Sequence, residues 1–266
     1  MSTNSLYRLN TAIWTLDHSA AVQLQQPGEP YPGWCPCYLI EHPEGLVLFD
    51  TGVSRAMVDD PESYGPNGAP HMLELLETLD LEAGKSPVDH LETLGYAPED
   101  VDYVVLSHLH VDHAGNVDAF PDAEVIVRKA ELRYAFWPDG AQRLFYLEGD
   151  ISPLRDLEAD VTAITGEYDV FGDGSVVAFP TPGHTPGHQS LSVELGSRDV
   201  ILAGDVANSR VGYEEELVAA FSWSLEDSIE SIRRVKDRAR RTGAEVIVHH
   251  DPDDQETLPD PPAALE

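Results

Sequence analysis

The chain has 266 residues, 42% of them hydrophobic, enough to bury a large core in a single domain. Its 48 acidic against 16 basic residues leave a formal net charge of −32, a surface that repels nucleic acid and anionic membranes and argues against both as partners. Lysine is scarce (Lys85, Lys129, Lys236), and dense Asp and Glu with so little Lys read as a halophilic protein in molar salt, where ions screen the self-repelling surface. No apolar leader and no run of membrane-spanning length is visible, so a cytoplasmic location is expected.

In chain order, strand-like runs at residues 37–41 and 46–50 come first, joined by a turn at Pro43-Glu44-Gly45. Cys35 and Cys37 are expected as free, buried thiols, because a bridge across one residue would be badly strained. Residues 54–86, rich in Pro, Gly, Asn and acids, read as a surface excursion or lid that shapes the substrate pocket, with one helical patch at 72–79. A helix around 88–94 leads into a strand at 102–106, followed by a strand at 125–127 and a helix near 130–136.

The second half repeats the pattern, with strands at 161–165, 168–171, 176–179, 191–195 and 200–202. A helix is predicted over 225–241, where Ile229, Ile232, Val235 and Ala239 trace one apolar stripe and Ser224 precedes Asp227 by a capping-box spacing. A last strand at 245–248 ends in His249-His250. Residues 1–250 read as one domain, and the acidic, Pro-rich tail 251–266 is expected to be loose. Strand-rich halves with helices between them suggest two sheets stacked inside outer helices, an α/β sandwich.

The most informative stretch runs from Ser107 to Gly115. Four potential metal ligands, His108, His110, Asp112 and His113, fall within six residues, directly after the apolar run 103–106. His108 and His110 are two apart and point to one side of an extended backbone. Asp112 and His113 come as the chain turns, so two alternating pairs suit two adjacent divalent ions better than one. Further candidates also sit where strand-like runs end: His184, Asp205, and His249 with His250. Ligands at strand ends share one edge of a sandwich. Strand alternation lets only one of His249 and His250 face that edge, and spacing leaves both open.

These motifs resemble the metallo-β-lactamase superfamily and, within it, the N-acyl homoserine lactonases that silence quorum signals. The matching segments include Leu16-Asp17-His18-Ser19, Trp34 to Leu39, Asp50-Thr51-Gly52, Gly95-Tyr96, Ser107 to Gly115, Thr181 to Leu191, Gly204-Asp205 and His250-Asp251. The resemblance implies a four-layer αββα sandwich and two divalent ions of zinc type. His108, His110 and His184 would hold the first, Asp112, His113 and His250 the second, with Asp205 bridging; the His-Asp pair is what selects His250 over His249. Imidazole and carboxylate donors suit Zn²⁺, and Mn²⁺, Fe²⁺ and Co²⁺ also accept them.

The implied activity is opening of a lactone ring, that of N-acyl homoserine lactones, by attack of a metal-bridging hydroxide, with Asp112 passing the proton to the leaving alkoxide. His188 is expected to support the ligands rather than join them. Relatives place a tyrosine three residues after the bridging Asp; here that position is Asn208, whose amide can donate to the substrate, and Tyr213 on the same loop is a potential substitute. The partner is a small lactone or ester, and oligomeric state stays open. The alternative is another ester or thioester hydrolase of this superfamily, of the glyoxalase II kind.

Overall fold

The computed structural model describes residues 4–64, 76–155 and 159–266. Among these, β1 (Ser5–Asp17), β2 (Pro30–His42) and β3 (Gly45–Phe49) form an antiparallel meander, and β4 (Leu79–Asp80) pairs with the outer side of β1. From β3 the sheet continues in parallel through β5 (Val101–Val105), β6 (Glu124–Arg128) and β7 (Asp160–Ile164). Parallel pairing needs long crossovers, supplied by the helix Pro87–Leu94 before β5 and the helices Lys129–Ala135 and Glu148–Arg155 before β7. The second sheet contains β8 (Tyr168–Asp169), β9 (Val176–Pro180), β10 (Gln189–Glu194), β11 (Asp199–Leu202) and β12 (Glu245–Ile247), in the order β12-β11-β10-β9-β8.

Alternation sorts the side chains into layers. In β2 and β3, Cys37, Leu39, Leu46 and Leu48 face the outer helices with Leu91 and Leu154, while Tyr38, Ile40, Val47 and Phe49 face the other sheet. There they meet Ala178, Leu191, Val193, Val200, Leu202 and Ile247. On the far side of the second sheet, Phe179, Ile201 and Val246 pack against Ile232 and Val235 of the helix Leu225–Thr242. Both sheets are covered on both faces, which explains their nearly continuous apolar runs. The result is a four-layer αββα sandwich. The helix Leu225–Thr242 begins as its sequence suggests: Ser224 Oγ accepts the Asp227 amide at 3.2 Å, and Gly243 closes it in the left-handed region.

The long β1 and the first half of β2 were not visible in the sequence pattern. Pro30, Pro32, Gly33 and Pro36 read as strand breakers, yet Pro36 sits opposite Asn10, where the β1–β2 register shifts. In β1 the alternation is hidden because Asn10 and Thr11 are buried, their side chains donating to Ala83 O at 3.1 Å and Cys35 O at 2.6 Å. Half of the helical patch expected at 72–79 lies outside the described residues; its last residue, Leu79, opens β4. The described part of the excursion is packed down: Met57, Tyr64, Leu76 and Leu81 cluster with Trp14, Cys35, Val111 and Leu147. Among the described residues, no helix is long and apolar enough to cross a membrane.

The tail corrects the sequence expectation more sharply. Residues 251–266 are docked. Asp251 caps the helix Pro252–Thr257, Leu258 and Leu265 enter the core between the sheets, and Leu265 exchanges two 2.9 Å backbone hydrogen bonds with Leu6. Arg8 anchors it further through Gln255 O and Asp260. Average composition concealed the point, because two well-placed leucines among acids and prolines are enough to tie down a terminus. Leu258→Ala is therefore expected to destabilise the fold by about 2–3 kcal/mol, read as a lower midpoint in denaturant; an unchanged midpoint would mean the tail is not part of the cooperative unit.

Candidate metal centre

The centre is assembled from the ends of β3, β5, β9, β11 and β12, and its rigidity begins with Asp50. This residue is fully buried with a left-handed φ of 61° at the end of β3, a conformation Asp tolerates better than most residues. Its Oδ1 accepts the Ser107 amide at 2.7 Å, and its Oδ2 accepts Ser107 Oγ and the His113 Nδ1–H, both at 2.9 Å. The His113 ring is thereby turned so that Nε2 faces Asp205. Gly115 lets the loop close: a Cβ there would stand 2.5 Å from Ser54 N and 2.7 Å from Gly52 O.

A second buried carboxylate braces the loops. Glu131, on the helix Lys129–Ala135, accepts the Leu109 amide (3.0 Å) and Tyr146 hydroxyl (2.7 Å) on Oε1, and Thr185 Oγ1 (2.7 Å) and the Gly187 amide (3.1 Å) on Oε2. It therefore joins the His108–His110 loop to the His184 loop. Gln142 adds a third brace, accepting His110 Nε2–H at 2.8 Å while donating to His184 O at 3.1 Å. His188 donates from Nδ1 to Thr181 O at 3.0 Å and accepts the Asp205 amide on Nε2 at 2.9 Å. Both its nitrogens are engaged, so it orients Asp205 from behind. The left-handed Gly204 (φ 58°) makes room, since a Cβ there would lie 2.7 Å from His188 Nε2.

Held this way, seven donors converge. One donor atom each from His108, His110 and His184 lies within 4.8 Å of the others, and His110 Nδ1 is 3.0 Å from His184 Nε2. Asp205 stands between this trio and a second group. Its Oδ2 is 3.4 Å from His184 Nε2, and its Oδ1 is 3.3 Å from His113 Nε2 and 3.1 Å from His250 Nε2. Asp112 Oδ2 is 3.8 Å from His113 Nε2 and 3.6 Å from His250 Nε2.

His250 donates from Nδ1 to Trp34 O at 2.5 Å, and so presents Nε2 to the centre. His249 turns the other way, edge-on to Tyr38 with ring centroids 5.7 Å apart. One of its nitrogens still lies within 4.8 Å of donors on His113 and His250, but His249 does not reach the cleft that His250 lines.

Electrostatics divides the cluster in two. Burial and neighbouring imidazoles hold His108 and His110 well below the ordinary imidazole value, and burial takes His184 to about 4. These three are neutral donors. Burial would do the same to His113 and His250, but the carboxylates of Asp205 and Asp112 overcome it and raise both well above that value. Asp205, which burial alone would raise, is drawn well below the ordinary carboxylate range by His250, His113 and His184. His108 Nε2, His113 Nε2, His184 Nδ1 and Asp205 Oδ1 are buried with no hydrogen-bond partner. Buried polar atoms of native proteins are rarely left so, and a divalent cation satisfies several of them together. The donor set fits divalent metal.

A cleft of roughly 480 Å³ opens over the centre. His110, Asp112, Asp205, Asn208 and His250 form its polar floor, and Trp14, Leu16, Ala21, Phe145 and Phe221 its apolar walls.

This arrangement has counterparts. The sequence profile of the Metallo-beta-lactamase superfamily matches residues 31–242. N-acyl homoserine lactonase AttM of Agrobacterium fabrum is 35% identical over 231 residues, covering 86% of each chain. N-acyl homoserine lactonase AiiA of Bacillus thuringiensis subsp. kurstaki is 32% identical over 254 residues, covering 94% of each. The chain belongs to the metallo-beta-lactamase superfamily, in the family of the N-acyl homoserine lactonases. A solved N-acyl homoserine lactone hydrolase with N-hexanoyl-L-homoserine bound at its catalytic metal center has a TM-score of 0.83 and 27% identity over the whole of both chains. A mutant AiiA of B. thuringiensis with N-decanoyl-L-homoserine at its active site has the same score and identity.

Within this lactonase-family fold, all seven residues expected as ligands meet at one edge of the sandwich, and Asn208 joins them in the cleft. Tyr213 does not. It packs under the helix Leu225–Thr242 with Ile201 and Ile232, its ring 5.4 Å from the Arg210 guanidinium, so it is no substitute for a cleft tyrosine. Tyr31 is the tyrosine in the cleft wall, its hydroxyl donating to Asn208 O at 2.8 Å. Sequence reasoning missed Tyr31, Glu131 and Gln142, which lie far from the metal motifs. Glu131→Ala leaves four buried donors unpartnered and is expected to cost about 3–5 kcal/mol; an unfolding midpoint close to wild type would show that the brace is dispensable.

Proposed function

We propose that this chain is a dinuclear metal-dependent hydrolase that opens the lactone ring of N-acyl homoserine lactones. His108, His110 and His184 hold one divalent ion, Asp112, His113 and His250 the other, and Asp205 reaches both; zinc is the metal that this donor set favours. The observation that carries the reading is the position of Asp205, a buried carboxylate lying between two nitrogen groups at the floor of an apolar-walled cleft. The naming of the family's members as lactonases supports the substrate class. When bound, the ions supply Lewis acidity, lowering the pKa of water and polarising the ester carbonyl.

The residues of the chain do the rest. Trp14, Leu16, Phe145 and Phe221 give the acyl chain an apolar surface and exclude water from the floor. Asp112 is the partly exposed carboxylate among the ligands. It takes the proton given up by the attacking water and returns it to the ring oxygen as that oxygen leaves. Asn208, whose Oδ1 has no partner within the protein, offers its carboxamide to the substrate. Asn208→Ala is expected to lower kcat/KM about tenfold, the equivalent of one lost hydrogen bond, with metal content unchanged; full activity in that variant would remove Asn208 from the reaction.

The decisive assay is hydrolysis of a medium-chain N-acyl homoserine lactone in molar KCl. Wild-type protein loaded with metal should open the ring and His110→Ala should not. Cleavage of aryl or thioesters without lactone turnover would keep the hydrolase and retire the lactonase.

Loss of metal on acidification should be ordered. His113 and His250, raised above the ordinary imidazole value, take up protons first as the pH falls, so the ion they share with Asp112 is expected to leave first. His184, at about 4, keeps the other ion to lower pH. Elemental analysis after dialysis from pH 8 to 5 should pass through a one-ion plateau, and simultaneous loss of both would contradict this assignment.

We further propose that the −32 charge fits the protein for molar salt in the cytoplasm. The melting temperature should then rise on going from low salt to molar KCl, and a flat response would refute halophily.

A further inference from the structure

Cys35 and Cys37 are both buried free thiols on β2, yet their surroundings differ. Cys37 Sγ lies 3.5 Å from Leu9 O and packs into the core beneath the outer helices. Cys35 lies at the cleft, in the wall beside Asp112, Asp205 and His250. Its hydrogen bond to Gly33 O is a long one, 4.0 Å from Sγ. By contrast, Sγ, an Asp112 carboxylate oxygen and a His250 ring nitrogen all lie within 4.8 Å of one another. A Zn–S bond of about 2.3 Å and a Zn–N bond of about 2.1 Å at a tetrahedral angle bring donors on one ion to about 3.6 Å apart, inside this limit.

Independent of the cysteine, Asp205 Oδ1 and His113 Nε2, 3.3 Å apart, are buried and without a hydrogen-bond partner at the same centre. Packing alone does not call for sulfur here, because the neighbours Ala12, Trp14, Val53 and Met57 would accept a valine of similar size.

We propose that Cys35 is a thiolate donor to the ion held by Asp112, His113 and His250, giving that end of the centre a mixed nitrogen, oxygen and sulfur shell. The inference rests on the dinuclear reading above. As the Sγ–metal bond forms, the Sγ–H bond breaks and its proton leaves to solvent, with no change of oxidation state. The added thiolate offsets one more unit of the ion's charge and makes this end selective for thiophilic divalent ions. Zn²⁺, Co²⁺ and Cd²⁺ are favoured, and Mn²⁺ is disfavoured. The other ion keeps an all-imidazole set with Asp205, so the two ends differ in softness.

Cobalt substitution tests this without reference to turnover. Under reducing, anaerobic conditions, titration of the metal-free protein with Co²⁺ should give visible d–d bands for two ions. A near-ultraviolet sulfur-to-cobalt charge-transfer band should grow with the ion at the Asp112 end. The band should persist in Cys37→Val and vanish in Cys35→Val and Cys35→Ala, which still show two ions by their d–d bands. The preference of that end for Cd²⁺ over Mn²⁺ should fall at least tenfold in the same Cys35 variants. Two bound ions without the charge-transfer band in wild type, or a band that survives in Cys35→Val, overturns the sulfur ligand and leaves the dinuclear reading standing. Failure of wild type to bind a second ion defeats the dinuclear reading and the proposal with it. The wild-type spectrum alone decides the matter if the variants fail to fold.

Discussion

A charged carboxylate is costly to bury without positive partners or hydrogen-bond donors, and Asp205 is 4% exposed. Taking such a group out of water costs several kcal/mol even after the protein relaxes. The surroundings answer that cost with imidazoles on three sides, His184, His113 and His250, each within 3.4 Å of a carboxylate oxygen. In the absence of metal, protons taken up by His113 and His250 supply the compensating charge. Protons and divalent ions therefore compete for the same anionic hole. A divalent ion has the advantage that it can satisfy several of the orphaned donors together, whereas a proton satisfies one at a time.

That arrangement is only as good as the groups behind the donors. The rings of His108, His110, His113 and His250 each have one nitrogen against a fixed partner: Ser107 Oγ, Gln142 Oε1, Asp50 Oδ2 and Trp34 O, respectively. Each partner fixes which ring nitrogen faces inward. Glu131 then ties the two ligand loops to one carboxylate on the helix that follows β6. Burial pushes its carboxyl upward, but four donors hold it in place. The layers of the sandwich matter to the chemistry in this sense. They bring five strand ends to one edge and set buried hydrogen-bond partners behind His108, His110, His113 and His250.

Much of this was legible in the sequence because the ligands follow apolar strands and recur as compact motifs. The layered architecture, the His108–His113 cluster and the outlying His184 and Asp205 were legible in local pattern, whereas His250 was selected over His249 by the family resemblance. The His249 and His250 pair shows the limit. Strand alternation says that the two point apart, but not which one points inward; the 2.5 Å contact to Trp34 O, on a strand more than 200 residues earlier, decides it. Glu131 and Tyr31 were invisible for the same reason, since their roles exist only after distant segments meet. Cys35 read as packing because burial is what a lone thiol most often means, and only its neighbours across the cleft suggest otherwise. The tail was misjudged because composition averages over Leu258 and Leu265, the two residues that matter.

The charge of the surface and the charge of the cleft have different consequences. An N-acyl homoserine lactone is neutral and its ring-opened product carries a carboxylate, so a chain of net charge −32 would admit the substrate and expel the product if its field reached solution. In molar salt the screening length shrinks to about 3 Å, and the surface field ends within one layer of water. Steering by the 48 acidic residues would therefore be negligible in molar salt, and their effect there would be on stability and hydration. Inside the cleft the apolar walls of Trp14, Phe145 and Phe221 exclude the screening ions, so Asp112 and Asp205 act at full strength over a few ångströms. Two divalent ions would outweigh these two carboxylates, so a product carboxylate would form against a net positive centre, and the conspicuous charge of the whole chain does not govern that contact.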